Sequence, residues 1–140
     1  EIFETLCSHH GWSEETLRLA IRAKFCCEYC GRELLKSVEA YDSWQVDHVD
    51  PTARGGADVE DNKAVACKIC NFIKRHSFVP DGELTGLNRN EKLRLISERI
   101  IKPRLKIKQT TLDAVKALAE KLIHGDLRIV SSPPVVNLDN

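Results

Sequence analysis

Four of the six cysteines form two C-x-x-C pairs, Cys27/Cys30 and Cys67/Cys70, with 36 residues between the pairs. Thiolate sulfur binds Zn²⁺ at about 2.3 Å, and a two-residue spacer lets both sulfurs of one turn face a single point. We therefore predict that the four thiolates converge on one zinc ion. A closed four-cysteine sphere leaves no open position, so this zinc is expected to be structural. Cys26 is an alternative to Cys27, although Cys27 gives the better spacing.

The grouping of the cysteines also indicates a compartment. A secreted disulfide scaffold spreads its cysteines through the loops, whereas the last 70 residues of this chain contain none. Paired cysteines of this kind fit a metal site in a reducing compartment better than a disulfide frame. A redox role for the pairs is the alternative. The expected location is therefore cytoplasmic.

A second group of side chains, between and just beyond the cysteine pairs, is suited to metal-assisted hydrolysis. It contains Asp47, His48, Asn62 and Asn71. A histidine can take a proton from water because its ordinary pKa of about 6.5 lies near working pH. A hard divalent cation held by oxygen ligands supplies Lewis-acid stabilisation. Adjacent residues of a strand point to opposite faces, so Asp47 and His48 can serve separate roles if the strand distorts near its end.

In motif order and spacing, residues 27–76 resemble the HNH endonucleases. The resemblance includes Asp47-His48, Asp61-Asn62-Lys63 and Cys67-x-x-Cys70-Asn71-x-x-Lys74. It implies an α+β fold with a zinc-stabilised, treble-clef-like ββα-metal core and flanking helices. It also implies a divalent-metal-dependent endonuclease that hydrolyses DNA phosphodiester bonds.

The resemblance assigns a role to each residue. His48 would be the general base, and Asp47 and Asn71 would bind the catalytic ion. Asn62 would hold the loop and help to orient His48. The third motif residue of the family is often His, so Asn71 marks an HNN variant. A carboxylate and an amide carbonyl form an oxygen-only site, which favours Mg²⁺ or Mn²⁺.

Taken singly, each of these residues has an ordinary explanation. Asp47 could be a turn residue, Asn62 could belong to a common loop sequence, and Asn71 could bond within the cysteine turn. Their order inside the cysteine frame favours catalysis. The alternatives left open are a zinc-stabilised nucleic-acid-binding module without catalysis and an RNA endonuclease.

The elements that must position these residues can be read from the pattern. We expect a helix from Ser13 to about Lys24, a tight turn over 26–31, strands over 44–49 and 63–66, and a helix over 67–77. Gly31 can adopt the positive φ that a tight turn needs. In the last of these helices, Ile69, Phe72 and Ile73 are expected to face inward.

The remainder of the chain is expected to be a helical accessory region, residues 81–140, beside a nuclease core of residues 1–80. The pattern predicts a helix from Asn88 to about Lys102, stopped by Pro103, and then an extended stretch. A second helix is predicted from Leu112 to His124, opened by a capping box at Thr110 and Asp113. An extended tail around 133–134 is expected after it.

The distribution of charge indicates a partner. The net charge is zero, yet residues 63–108 hold 12 Lys and Arg against 4 Asp and Glu, a balance of +8, whereas residues 1–62 hold 6 against 13. The basic segment 88–108 is therefore expected to contact DNA phosphates, with RNA as a substrate that the sequence does not exclude. The predicted phosphate-binding side chains are Lys74, Arg75, Lys102, Arg104, Lys106 and Lys108.

The bulk composition sets outer limits. With 42% hydrophobic and 30% charged residues the chain has the composition of a globular protein. No apolar run approaches the roughly 18 residues that span a bilayer, so no membrane role is expected. The chain starts at Glu1 and contains no Met, so we expect it to be part of a larger protein. A double-strand break would need a homodimer or two successive nicks.

Overall fold

The computed structural model describes residues 1–125, and the expected tail around 133–134 lies outside them. The chain divides after Arg104 into two compact units. The first unit contains a mixture of helices and one small sheet, as the α+β prediction requires. Its elements are α1 (Ile2–His10), α2 (Glu14–Arg22), α3 (Val38–Ser43), β1 (Gln45–His48), β2 (Lys63–Ala66), α4 (Lys68–His76) and α5 (Arg89–Ile96), and α6 (Lys102–Ile123) crosses the division.

Helix α2 begins where the sequence predicted. The Ser13 hydroxyl accepts a hydrogen bond from the Thr16 amide, which satisfies one of the free N–H groups of the first turn. Its inner face buries Leu17, Leu19 and Ala20 almost completely. These side chains form the centre of the core together with residues from the sheet and the later helices, namely Leu34, Val49, Val65, Ile96 and Ile101.

The two strands pair antiparallel and carry the residues of interest. Asp47 lies opposite Ala64, and His48 lies opposite Lys63. Helix α4 follows β2 after a single residue, Cys67, so strand, strand and helix form the ββα arrangement. Both strands and the helix were predicted at these positions.

One side chain of α4 does not lie where the apolar pattern placed it. Ile73 is buried, but Phe72 is 56% exposed and packs against the His76 ring at 4.5 Å. The inner face is instead completed by Asn71 and Lys74, which are both buried. The prediction for Phe72 was wrong because two polar side chains take the inward positions of this helix.

The chain around Pro103 also differs from the prediction. The helix does not stop there, and the stretch that follows is not extended: Ser97–Ile101 forms a π-helical turn and α6 begins at Lys102. The helical backbone is continuous here, because Ile96 and Lys102 on either side of the π turn are both in the right-handed α region. Pro103 therefore lies within a helical run, immediately after the π turn. The wider π turn changes the hydrogen-bond register just before the proline.

The predicted capping box is absent from the described residues. Thr110 lies inside α6, where its hydroxyl donates to the Lys106 carbonyl at 3.0 Å. A threonine within a helix commonly bonds the carbonyl one turn earlier, and the sequence pattern alone does not distinguish this arrangement from a cap. The end of the helix was predicted correctly, since Gly125 has a φ of 73°. No helix within residues 1–125 has the length and apolarity to cross a membrane.

Candidate nuclease site

The four cysteines of the two C-x-x-C pairs meet at one point. The sulfur atoms of Cys27, Cys30, Cys67 and Cys70 all lie within 4.8 Å of one another, and the Cys30 and Cys67 sulfurs are 3.7 Å apart. A tetrahedral zinc ion with bonds of about 2.3 Å requires sulfurs about 3.8 Å apart. The cluster therefore fits a four-coordinate zinc ion, and it closes the coordination sphere.

The chemistry of the cluster agrees with metal binding. Hydrogen bonds among the four sulfurs divide the protons unevenly: a bond from Cys27 lowers the pKa of Cys30 to about 7, and the pKa of Cys67 is lowered too, whereas the pKa values of Cys27 and Cys70 are raised. The thiolate is the form that binds a metal. Cys26 lies outside the cluster, and its sulfur contacts the Lys24 carbonyl instead. Cys27 is therefore the member of the pair.

Asp47 projects from β1 into a largely buried polar environment. The Tyr29 hydroxyl donates to its Oδ2 atom at 2.5 Å, and the Lys74 ammonium lies 2.9 Å from the same oxygen. Burial, followed by the neighbouring Asp47 carboxylate, raises the pKa of Tyr29, so the phenol stays protonated and acts as a donor. Both contacts are made by Oδ2.

Asn71 lies in the first half of α4 and is 7% exposed. Its Nδ2 atom donates to the Gln45 Oε1 atom at 2.8 Å. This bond fixes the amide orientation and uses its nitrogen, so the carbonyl oxygen is the atom that could serve as a ligand. A carboxylate and an amide oxygen fit a hard cation such as Mg²⁺ or Mn²⁺.

His48, next to Asp47, points toward a loop residue that the sequence analysis did not single out. Its Nε2 atom is 2.9 Å from Asp58 Oδ1. The Lys63 ammonium forms ion pairs with both Asp58 and Glu15. Its Nζ atom lies 3.1 Å from Asp58 Oδ1 and 2.6 Å from Glu15 Oε1. Hydrogen bonds from His48 and then from Lys63 lower the pKa of Asp58, so the carboxylate is ionised at neutral pH.

Asn62 holds the loop that follows β1. Its side chain accepts from the Asp50 amide and donates to the Asp50 carbonyl, both at 2.9 Å, and it also donates to the Ala57 carbonyl at 2.8 Å. The backbone carbonyl of Asn62 accepts a hydrogen bond from the Val49 amide. These bonds fasten both ends of the loop and the residue immediately after His48.

An open cleft brings five of the predicted residues together, and Asn62 lies outside its lining. This His48 cleft has a volume of about 280 Å³, and its walls include Asp47, His48, Asn71, Lys74 and Arg75. The two cations differ in position. Arg75 is exposed, whereas Lys74 is 5% exposed and donates to the His48 carbonyl as well as contacting Asp47.

The other predicted phosphate-binding residues lie on α6. All four side chains are exposed: Lys102, Arg104, Lys106 and Lys108. In an α-helix, residues four apart share a face and residues two apart do not. The four cations therefore form two pairs on different sides of the helix, instead of the single row that an extended stretch would give.

Tyr29, Asp58 and Gln45 are the contacts of the site that sequence reasoning missed. Tyr29 lies inside the first C-x-x-C turn, and Asp58 lies ten residues beyond His48 in a loop. A signal existed for Tyr29, because any residue between two zinc ligands is held in a fixed position. The sequence contains no comparable signal for Asp58 or Gln45.

The comparisons with known proteins agree with this geometry. The family model "HNH endonuclease" matches residues 27–77, which are 51 of the 140 residues. No curated protein and no solved structure matches the chain. The matched segment begins at the first zinc cysteine and ends just after α4, so it covers the two strands, the helix and the cysteine cluster. Residues 27–77 therefore match the HNH endonuclease family model, and the same segment holds a four-cysteine cluster that fits a zinc ion.

Proposed function

We propose that the chain is a divalent-metal-dependent DNA endonuclease in which His48 activates the attacking water. The observation that carries this proposal is the His48 cleft, where a histidine, a carboxylate and an oriented amide converge. Asp47 and Asn71 would bind one Mg²⁺ or Mn²⁺ ion. When bound, that ion would act as a Lewis acid on the phosphoryl group and the leaving oxygen.

His48 is prepared for its role by Asp58. An ionised carboxylate only accepts hydrogen bonds, so the Nε2 atom of His48 must carry the proton that joins them at 2.9 Å. The lone pair of a neutral imidazole is then on Nδ1, which can take a proton from water. Asp58 is thus a positioning residue that selects the tautomer of His48.

Asn62 and Tyr29 act on the backbone and on the metal ligand. Asn62 bonds to both backbone groups of Asp50, two residues after His48, and so fixes the end of β1. Tyr29 fixes one oxygen of Asp47. The zinc ion is assigned no chemical step, since its four sulfur ligands fill its coordination sphere.

The exposed cations are proposed to contact phosphates. Arg75 lines the cleft, and Lys102, Arg104, Lys106 and Lys108 are exposed on α6. Lys74 was also expected to contact a phosphate, but its ammonium group is occupied by Asp47 and the His48 carbonyl. Direct contact with DNA would require Lys74 to leave both partners.

The proposal is tested by a plasmid-nicking assay with Mg²⁺ and Mn²⁺. Loss of the general base in His48→Ala should reduce the rate by about 10²- to 10⁴-fold. The control is His76→Ala, which removes an exposed histidine of α4 and should leave nicking unchanged. Equal activity of wild type and His48→Ala would exclude this mechanism. The same proteins and metal ions, assayed on an RNA substrate, test whether the chain cleaves RNA.

One observation favours a second candidate, a zinc-stabilised nucleic-acid-binding module without catalysis. The charge of Asp47 is already balanced by the Lys74 ammonium at 2.9 Å, which could replace a metal ion there. Binding of DNA without cleavage across a panel of divalent ions would support this candidate.

A further inference from the structure

A cluster of aromatic rings lies beside the His48 cleft and has no role in the chemistry described above. Trp12 is its centre: the Trp12 ring centroid is 4.9 Å from that of His10, 5.5 Å from that of Trp44 and 6.0 Å from that of Tyr41. These four rings, from the end of α1, the loop after it, and α3 with the residue that follows, line a cavity of about 340 Å³. We call this cavity the aromatic pocket.

The aromatic pocket adjoins the proposed site of cleavage. Val46 lines both the pocket and the His48 cleft. Gln45, another pocket residue, accepts the hydrogen bond that orients Asn71. The pocket and the cleft are therefore adjacent cavities that share one wall, close enough for one DNA strand to contact both.

The rings are not simply packed into the core. Trp44 is 9% exposed, but Tyr41 is 37% exposed and His10 is also exposed. Open aromatic surface of this kind stacks on nucleobases with little regard to sequence, because every base has a flat π-face. The exposed His10 and Tyr41 also contact each other, with His10 Nδ1 2.7 Å from the Tyr41 hydroxyl, so a base would meet a preassembled pair of rings.

The polar groups of the pocket select the base over the phosphate. Asp42 lines the pocket, and a carboxylate repels phosphate but accepts hydrogen bonds from exocyclic amines of bases. The indole N–H of Trp44 is buried without a hydrogen-bond partner among residues 1–125. Because this atom is shielded from solvent, the pocket side chains would have to shift before a base carbonyl could accept from it, so the exposed Asp42 is the polar group that a base can reach directly.

We propose that the aromatic pocket binds one unstacked nucleobase of the DNA strand that occupies the His48 cleft. This inference rests on the proposed function, because it takes the substrate to be DNA. Unstacking a base from a duplex has a cost, which is smallest for a base that is already single-stranded. Single-stranded or locally opened DNA is therefore the form that the pocket should bind best.

The two tryptophans of the chain make the test direct. Both of them, Trp12 and Trp44, line the pocket, so intrinsic tryptophan fluorescence reports on this site alone. A single-stranded oligodeoxynucleotide would be titrated into the zinc-loaded chain without added Mg²⁺ or Mn²⁺. The comparison ligands are an abasic oligomer with the same number of phosphates and the corresponding duplex, and anisotropy of labelled DNA measures total binding.

We expect the oligonucleotide with bases to quench the fluorescence strongly, the duplex to quench it less, and the abasic oligomer to leave it unchanged. Loss of a stacking ring in Tyr41→Ala should weaken binding of the single strand about tenfold. Tyr41→Phe keeps the ring and should bind nearly as wild type does. Zinc content and circular dichroism confirm that each variant is folded.

Equal quenching by the abasic oligomer, or full binding in the anisotropy assay without quenching, would overturn the pocket proposal. These results are distinguishable from failure of the proposed function. Base-dependent quenching by a chain that does not nick DNA would support the pocket and reject catalysis. Nicking that depends on His48, without base-dependent quenching, would support catalysis and reject the pocket.

Discussion

Two neighbouring residues of β1 have side chains in very different surroundings. Asp47 is held by Tyr29 and Lys74 in a nearly closed environment, whereas the His48 side chain is 31% exposed and contacts Asp58 in the loop after β1. A metal ligand gains from rigid placement, and a base must reach water. Alternation along a strand permits both roles at consecutive positions.

The contact between Asp58 and His48 gives the first prediction at this scale. Asp58→Asn keeps an oxygen acceptor but loses the charge, and should reduce the nicking rate about tenfold with little change in KM, because the histidine tautomer is held less firmly. Asp61→Asn removes a neighbouring acidic charge and is the control. The histidine tautomer is read from ¹⁵N NMR shifts of the imidazole. Unchanged nicking in Asp58→Asn, with His48→Ala inactive, would remove Asp58 from the mechanism.

The ion pair between Lys74 and Asp47 gives the second prediction at this scale. Breaking a buried ion pair by removing one partner costs about 3–5 kcal/mol, because the other charge is left uncompensated. Lys74→Met should therefore lower the Tm of the chain in the absence of Mg²⁺. Added Mg²⁺ should then raise its Tm more than that of wild type, because Asp47 has lost its cation. Lys68→Met, on the exposed side of α4, is the control. The same Mg²⁺-induced shift in variant and wild type would show that the ion does not bind at Asp47.

At the scale of elements, the loop after β1 depends on one close approach. A Cβ atom on Gly56 would lie 1.9 Å from the Asp50 carbonyl oxygen, and that oxygen is bonded to Asn62. Gly55 is in the left-handed region at φ 90°, but a Cβ there meets no atom within 4 Å. The two adjacent glycines are therefore required for different reasons.

This difference is measurable by urea unfolding. Gly56→Ala should lower the free energy of unfolding by at least about 2 kcal/mol, because the loop must move away from Asn62. Gly55→Ala should cost about 1 kcal/mol, the ordinary cost of a left-handed alanine. Similar losses in the two variants would contradict the close approach.

The elements also show what sequence can predict and what it cannot. The cysteine pairs, both strands and α4 were predicted because ligand spacing and β-propensity are local signals. The continuation of the chain through Pro103 was missed, since a π turn depends on packing of Ile100 and Ile101 in the core. Asp58 and Gln45 were missed because their contacts to His48 and Asn71 arise only from the tertiary fold.

At the scale of the whole molecule, the cysteine cluster connects distant parts of the first unit. Tyr29, inside the first cysteine turn, contacts Asp47 through its hydroxyl and accepts from the Ser97 hydroxyl at 2.6 Å through its carbonyl. Loss of the metal would therefore disturb both the proposed active site and the π turn, although no zinc ligand lies in either.

Removal of zinc should unfold this unit. Structural zinc contributes about 10–16 kcal/mol in small domains, which is comparable to the entire stability of a typical domain at about 5–15 kcal/mol. Cys70→Ser, or treatment of wild type with a strong zinc chelator, should abolish the cooperative thermal transition seen by near-ultraviolet circular dichroism. Cys7→Ser, outside the cluster, is the control. A cooperative transition in the zinc-free chain would contradict the prediction.

The first C-x-x-C turn, Cys27 to Cys30, also covers the outer edge of β2. The Glu28 amide donates to the Val65 carbonyl, and the Glu28 carboxylate accepts from the Val65 amide, while Arg22 and Arg89 both donate to the Lys63 carbonyl. An open strand edge is a template on which another chain can add a strand, with aggregation as the risk. On β2 those hydrogen-bonding groups are already taken by the chain's own side chains and turn. A second protein, or a second copy of this chain, therefore could not extend the sheet at β2.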